Sequence, residues 1–392
     1  MYMGMKTESS VKNQLFVPAE WRIAMNNEIS TKNPLGENPV NSLLYQFAVP
    51  SIIAMLVSSL DNIVDQFFIG RSVGALGNAA TNISFPLSIS CVAIALLFGI
   101  GGASAFNIAM GMGEKENAVN YLANSAAMLF LGGVALTAVT LIFLEPLLKF
   151  FGSPDNVLEY AKVYTRIVAL GFPFLIFTSG GGHLIRADGR PKISMVCNLA
   201  GALINTVLDA LFVFVLNMGM AGAAYATIIG QIVSGLMAAW YLAHCRTIKI
   251  KKENLRVRWK YISRVMSLGT APCANQLAMM VVQIVMNKSL KYYGSLSVYG
   301  ESIPIACAGI ITKVNQVFMS FIIGISQGLQ PITSFNYGAG RYGRVRSAYR
   351  SAVACGAVLA VIAFILFQTI PHQIISLFGT GSEEYYRFAE NY

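Results

Sequence analysis

Two aspartates stand where an aspartate is costly. Asp65 closes an apolar run, 43–70, that is long enough to cross a bilayer, and Asp209 lies inside a second such run, 192–216. A carboxylate at that depth costs roughly 2.5–3.5 kcal/mol on insertion scales, and such residues mark ion or proton pathways. Asn205 precedes Asp209 by four residues and Asn198 precedes Asn205 by seven, so the three form one stripe on a helix face. Two carboxylates sharing a low-dielectric cavity raise each other's affinity for protons through desolvation and like-charge repulsion. With the Asn205 carbonyl and the Thr227 hydroxyl they also make an all-oxygen set suited to a hard cation such as Na⁺. The residues therefore point to H⁺ or Na⁺, with Asp65, Asn205, Asp209 and Thr227 as metal ligands in the second case.

These groups need helices to hold them at one depth. Of the 392 residues, 55% are hydrophobic and only 12% charged, whereas a soluble protein carries about a quarter charged residues. Mean hydropathy is +0.58. Nine apolar stretches approach membrane-spanning length: 43–70, 77–108, 119–144, 160–182, 192–216, 220–243, 265–290, 302–332 and 348–371. This is an all-α polytopic membrane protein. Residues 1–42 are polar, contain Pro18, Pro34 and Pro39, and read as a cytoplasmic tail rather than a cleavable signal.

The net charge of +10 is topological. Basic residues gather in the tail, at Lys115, at Arg186/Arg190/Lys192, in the 246–264 linker and at Arg341–Arg350, while the alternate loops hold few. That bias places the N-terminus in the cytoplasm of a multi-pass plasma-membrane protein and leaves no nucleic-acid surface. With this orientation Asp65 lies five residues, about 7.5 Å, before the outer end of its run. Asp209 and Thr227 fall about 12 Å and 10 Å from theirs, so all three share a depth.

The linker separates two similar halves, 43–245 and 265–392. Run two ends Phe106-Asn107-Ile108-Ala109-Met110-Gly111 and run eight ends Phe335-Asn336-Tyr337-Gly338-Ala339-Gly340, an F-N-x-x-x-G pattern in both. Pro50 in run one matches Pro272 in run seven. Six runs precede the linker, so the repeats are parallel, and paired proline-bearing helices point to a transporter. Pro50 is the expected hinge, and Pro86, Pro173, Pro272, Pro304 and Pro331 mark further expected kinks.

In this order, the segments Asn62–Gly70, Leu184–Pro191, Asn205–Asp209, Gly222–Thr227 and Gln330–Gly340 resemble the multidrug and toxic compound extrusion (MATE) transporters over residues 38–392. The resemblance implies a MATE-like helical bundle and places coupling-ion residues at Asp65, Asn205, Asp209 and Thr227. That family has twelve helices in two lobes; this chain stops at Tyr392, where a tenth would start. A complete six-helix first lobe and a partial, three-helix second lobe are expected. The implied function is efflux of small organic, cationic substrates by antiport with H⁺ or Na⁺, alternating access between the lobes. Two readings compete: a flippase for lipid-linked precursors, and a non-transporting truncated fragment.

Asp61, one turn before Asp65, Asn198 and Lys313 are candidate cavity residues; Lys162 and Arg166 are expected to snorkel. Two enzyme signatures are absent: no G-x-x-x-x-G-K-[ST] for ATP and no H-E-x-x-H. No cofactor is expected, and the six scattered cysteines read as small hydrophobes.

Overall fold

The structure is a computed structural model and describes residues 33–373 apart from 74, 154, 246, 249 and 297–301. Within these residues a short helix, α1 (Pro34–Glu37), precedes α2 (Val40–Ser72), α3 (Ala75–Gly111), α4 (Lys115–Ile142), α5 (Leu144–Phe150), α6 (Asp155–Ala169) and α7 (Phe172–Ala187). There follow α8 (Pro191–Asp209) with a π-helical turn (Ala210–Val215), α9 (Gly219–Ala243), a 3₁₀ turn (Lys252–Leu255), α10 (Trp259–Ser295), α11 (Ser302–Gly338) and α12 (Tyr342–Thr369). Among the described residues, seven helices and one bent pair are long and apolar enough to cross a membrane. They account for eight of the nine expected runs. The remaining run, 302–332, lies on α11, whose 37 residues also suffice in length. On α12 only 6% of the most apolar stretch is covered by protein. Val358, Val361, Phe364 and Ile365 point outward, a surface that lipid, not water, solvates.

Only one expected kink breaks a helix. Run four divides into α6 and α7 with a bend of 55°, where Gly171 is the N-cap and Pro173 sits in the first turn of α7, the position where a missing N–H is not needed. Pro50, Pro86, Pro272 and Pro331 each lie inside a continuous helix. Lys162, expected to snorkel, instead bridges Glu145 at 2.8 Å and Glu159 at 3.0 Å. Hydrogen bonds from Lys149 and Lys162 hold the Glu145 carboxyl down at about 2. The five cysteines whose side chains are described, Cys91, Cys197, Cys245, Cys273 and Cys355, are free.

Packing crosses the repeats. The most extensive helix contacts are α2 with α11 and α3 with α10. Exchanging the repeats turns one pair into the other, because α2 corresponds to α10 and α3 to α11. Glycines make these approaches possible: a Cβ on Gly269 would overlap the Leu97 carbonyl, and one on Gly101 the Val265 carbonyl. The two F-N-x-x-x-G ends also meet reciprocally, Gly111 against Phe335 and Gly338 against Ile108.

The second repeat begins earlier than its composition suggests. α10 starts at Trp259, inside the stretch read as linker, because Tyr261, Ile262 and Val265 are buried between charged neighbours. An asparagine ladder on α4 fastens this segment. Asn124 Nδ2 donates to the Asn254 carbonyl at 3.2 Å, and Asn254 Nδ2 donates to Asn120 Oδ1 at 2.9 Å. The Arg258 backbone N–H reaches Asn124 Oδ1 at 2.8 Å, and Tyr261 Oη donates to Asn117 Oδ1 at 3.1 Å. Asn117, Asn120 and Asn124 share one face by their spacing.

Candidate functional site

Three polar stripes converge. On α2, Ser58, Asp61, Asn62 and Asp65 follow the i, i+3, i+4, i+7 spacing of one helix face; on α8 the stripe is Asn198, Gly201 and Asn205; on α9 it is Thr227, Gln231 and Ser234. All of them line one cavity of about 390 Å³, together with Ser88, Tyr164, Thr178, and Gln276 and Gln316 from the second repeat. α8 and α9 approach closely because Gly230 and Gly201 face each other; a Cβ on Gly230 would lie 2.7 Å from the Gly201 carbonyl. Ser234 Oγ donates to the Cys197 carbonyl at 2.8 Å and fixes the pair.

The cavity is rich in acceptors without donors. Asn205 Nδ2 donates to Asp61 Oδ1 at 3.3 Å, and Thr227 Oγ1 donates along its own helix to the Ala223 carbonyl at 2.9 Å. Asp65 Oδ1, Asn205 Oδ1 and Gln231 Oε1 are buried and accept no hydrogen bond. Buried polar atoms in native proteins are nearly always paired, so a cluster of orphan oxygens suits a bound cation or a transferable proton.

Asp209 stands apart. Its side chain is fully buried, neither carboxyl oxygen has a partner, and it does not line the cavity. It remains close enough to Asp65 and Asp61 for their charges to interact, and Tyr164 faces the charges of both Asp65 and Asp209. The helix widens into its π turn directly after Asp209, a feature that often accompanies functional positions. Sequence spacing thus brought Asp65, Asn205, Thr227, Asp61 and Asn198 to one wall, while Asp209 sits behind it. The side chain of Lys313 lies outside the described residues. Tyr164, Gln276 and Gln316 were missed, since single polar residues on long apolar helices carry no spacing signal. Among the described residues no group of three His, Cys, Asp or Glu could hold a metal ion.

The MatE family pattern matches residues 50–211 and 273–392, which include all three acids and both repeats. The chain belongs to the MatE family. Among its relatives, the multidrug export protein MepA of Staphylococcus aureus is 24% identical over 352 residues, covering 88% of this chain and 75% of that protein. The MatE fold is shared with solved structures at 22% identity. An outward-facing multidrug resistance MATE family transporter of the MOP superfamily superposes with a TM-score of 0.84 over 91% of this chain and 78% of its own. A MOP superfamily transporter from Pyrococcus furiosus gives 0.83 over the same shares.

Proposed function

We propose that this protein exports small organic cations across the cell membrane in exchange for H⁺ or Na⁺, alternating access to the cavity between its two sides, with the basic end and the N-terminus in the cytoplasm. The observation that carries this reading is the cavity itself. Its charged lining residues among those described are Asp61 and Asp65, both acidic, and buried oxygens of Asp65, Asn205 and Gln231 lack donors. Acidic walls attract cationic cargo and disfavour the anionic precursors that a lipid flippase handles. The export name of the Staphylococcus aureus relative agrees with it.

Asp65 and Asp209 divide the coupling between them. Asp65 meets the cavity, where ion and cargo compete for one acceptor. Asp209 is fully enclosed, and an ionised carboxylate without a partner costs several kcal/mol to bury. Its enclosure therefore needs a proton on the acid or a cation beside it, and opening α8 at the π turn would release either. Asn205 and Thr227 supply further oxygens if the ion is Na⁺, and Pro50 gives α2 a point at which to bend.

The reading is tested with purified protein in liposomes loaded with a cationic dye, under separate pH and Na⁺ gradients. Efflux should follow one of the gradients and fall at least about ten-fold in Asp65→Asn and in Asp209→Asn, the loss expected when a residue engaged in the coupled step is removed. Wild-type rates of gradient-driven efflux in both variants would sink the assignment.

A further inference from the structure

A buried guanidinium separates the polar cavity from the basic end of the bundle. Arg186, near the C-terminus of α7, is 3% exposed. Its Nη1 donates to Ser194 Oγ at 2.8 Å, and its Nε, also buried, has no acceptor. None of the ion pairs among the described residues includes it. The acid nearest in sequence, Asp188, is engaged elsewhere: it accepts from Tyr241 Oη at 2.7 Å and feels the charge of Arg190. His183, one turn earlier and 4% exposed, is within reach of the Arg186 charge and offers no counter-charge.

The position matters more than the burial. A Cβ built on Gly182 would lie 3.0 Å from Ser194 Oγ, 3.6 Å from Arg186 Nη1 and 3.9 Å from Asn198 Nδ2, so the three polar groups converge on one glycine. Asn198 lines the polar cavity. On the far side, Ala187–Arg190, Asn107 and Lys115 line a second cavity of about 560 Å³ at the basic end. Ser194 and Arg186 line neither cavity; they form the layer between. The C-terminal carbonyls of α7 stabilise a cation at this place, which explains how the charge is held but not why the layer carries one.

We propose that Arg186 is a selectivity barrier: its fixed positive charge stops the coupling cation and cationic cargo from passing out of the polar cavity to the basic end through the first repeat. The proposal rests on the cation-antiport reading above. A charge ring or a single positive group inside a low-dielectric path excludes cations. A roughly ten-fold fall in local cation occupancy is within what one unit charge exerts at close range at an effective dielectric of about 20.

The test measures ion leak without cargo. Liposomes holding the full chain and a pH-sensitive dye are placed under an inward cation gradient, with K⁺ and valinomycin clamping the potential, and H⁺ and radioactive Na⁺ entry are followed. Arg186→Gln should raise entry of the coupling ion about ten-fold over wild type, while Arg186→Lys, which keeps the charge, should stay near wild type. Ser194→Asp keeps the arginine but sets a carboxylate where Ser194 Oγ now accepts. It should leak as Arg186→Gln does, and it decides the matter if Arg186→Gln does not fold. Wild-type leak in folded Ser194→Asp and Arg186→Gln, or equal leak in Arg186→Lys and Arg186→Gln, would overturn the barrier. Dye efflux by wild type in the same vesicles is scored separately. Its failure to respond to either ion gradient would defeat the antiport reading, and the cargo-free comparison would still decide the role of Arg186.

Discussion

An enclosed carboxylate without a hydrogen-bond donor works against the fold that holds it, and neither oxygen of Asp209 has one. Asp209→Leu should therefore raise stability by about 1–3 kcal/mol, the cost of a buried unsatisfied polar group, seen as a higher midpoint of thermal unfolding in detergent. The same variant should lose coupled efflux, and a lowered midpoint would show that Asp209 has a structural partner. Asp61 is different because it borders the cavity and accepts a long hydrogen bond from Asn205. Asp61→Asn should raise the KM for a cationic dye several-fold, with the ion dependence of efflux retained, as expected when one of two acceptors for a cation is lost. Depth along each run and the family resemblance pointed to Asp65, Asn205 and Thr227 as neighbours, and all three line the cavity. Spacing could not reveal that Asp209 does not line the cavity, because a residue four beyond Asn205 is expected to share its helix face.

At the level of helices, apolar run length located eight spans among the described residues, and Lys115, Arg190 and the chain entering α1, grouped by their charge, border one cavity. Which helix packs on which was not legible. That depends on glycines whose importance appears only when another backbone lies against them. A Cβ on Gly269 overlaps the Leu97 carbonyl, so Gly269→Ala should force α10 from α3 and destabilise the protein by about 1–3 kcal/mol. An unchanged unfolding midpoint in detergent would contradict that packing. The asparagine ladder makes a second demand. Asn120→Ala removes both the acceptor for Asn254 and the donor to Tyr261, and should expose the segment before α10 to limited proteolysis several-fold faster, as local opening becomes easier.

At the level of the whole molecule, the repeats are tied together by pairs that each repeat supplies to the other. Ser59 Oγ on α2 and Ser320 Oγ on α11 are 2.8 Å apart and buried, so cysteines in their place would bring their sulfurs next to each other. In a cysteine-free background, Ser59→Cys with Ser320→Cys should cross-link under oxidation and block efflux, and reductant should restore it. Undiminished efflux by the fully cross-linked protein would mean that α2 and α11 stay together throughout the cycle.

Because α2 finds its main partner in α11, the first span among the described residues matures late. Residues 40–72 leave the ribosome long before 302–338 exist, and at about 5–20 residues per second the delay is roughly 10–50 s. During that interval the small-residue face of α2, with Ala48, Ser51 and Ser59, must rest against lipid or an insertion factor, which makes biosynthesis the stage at which this helix is most exposed to quality control.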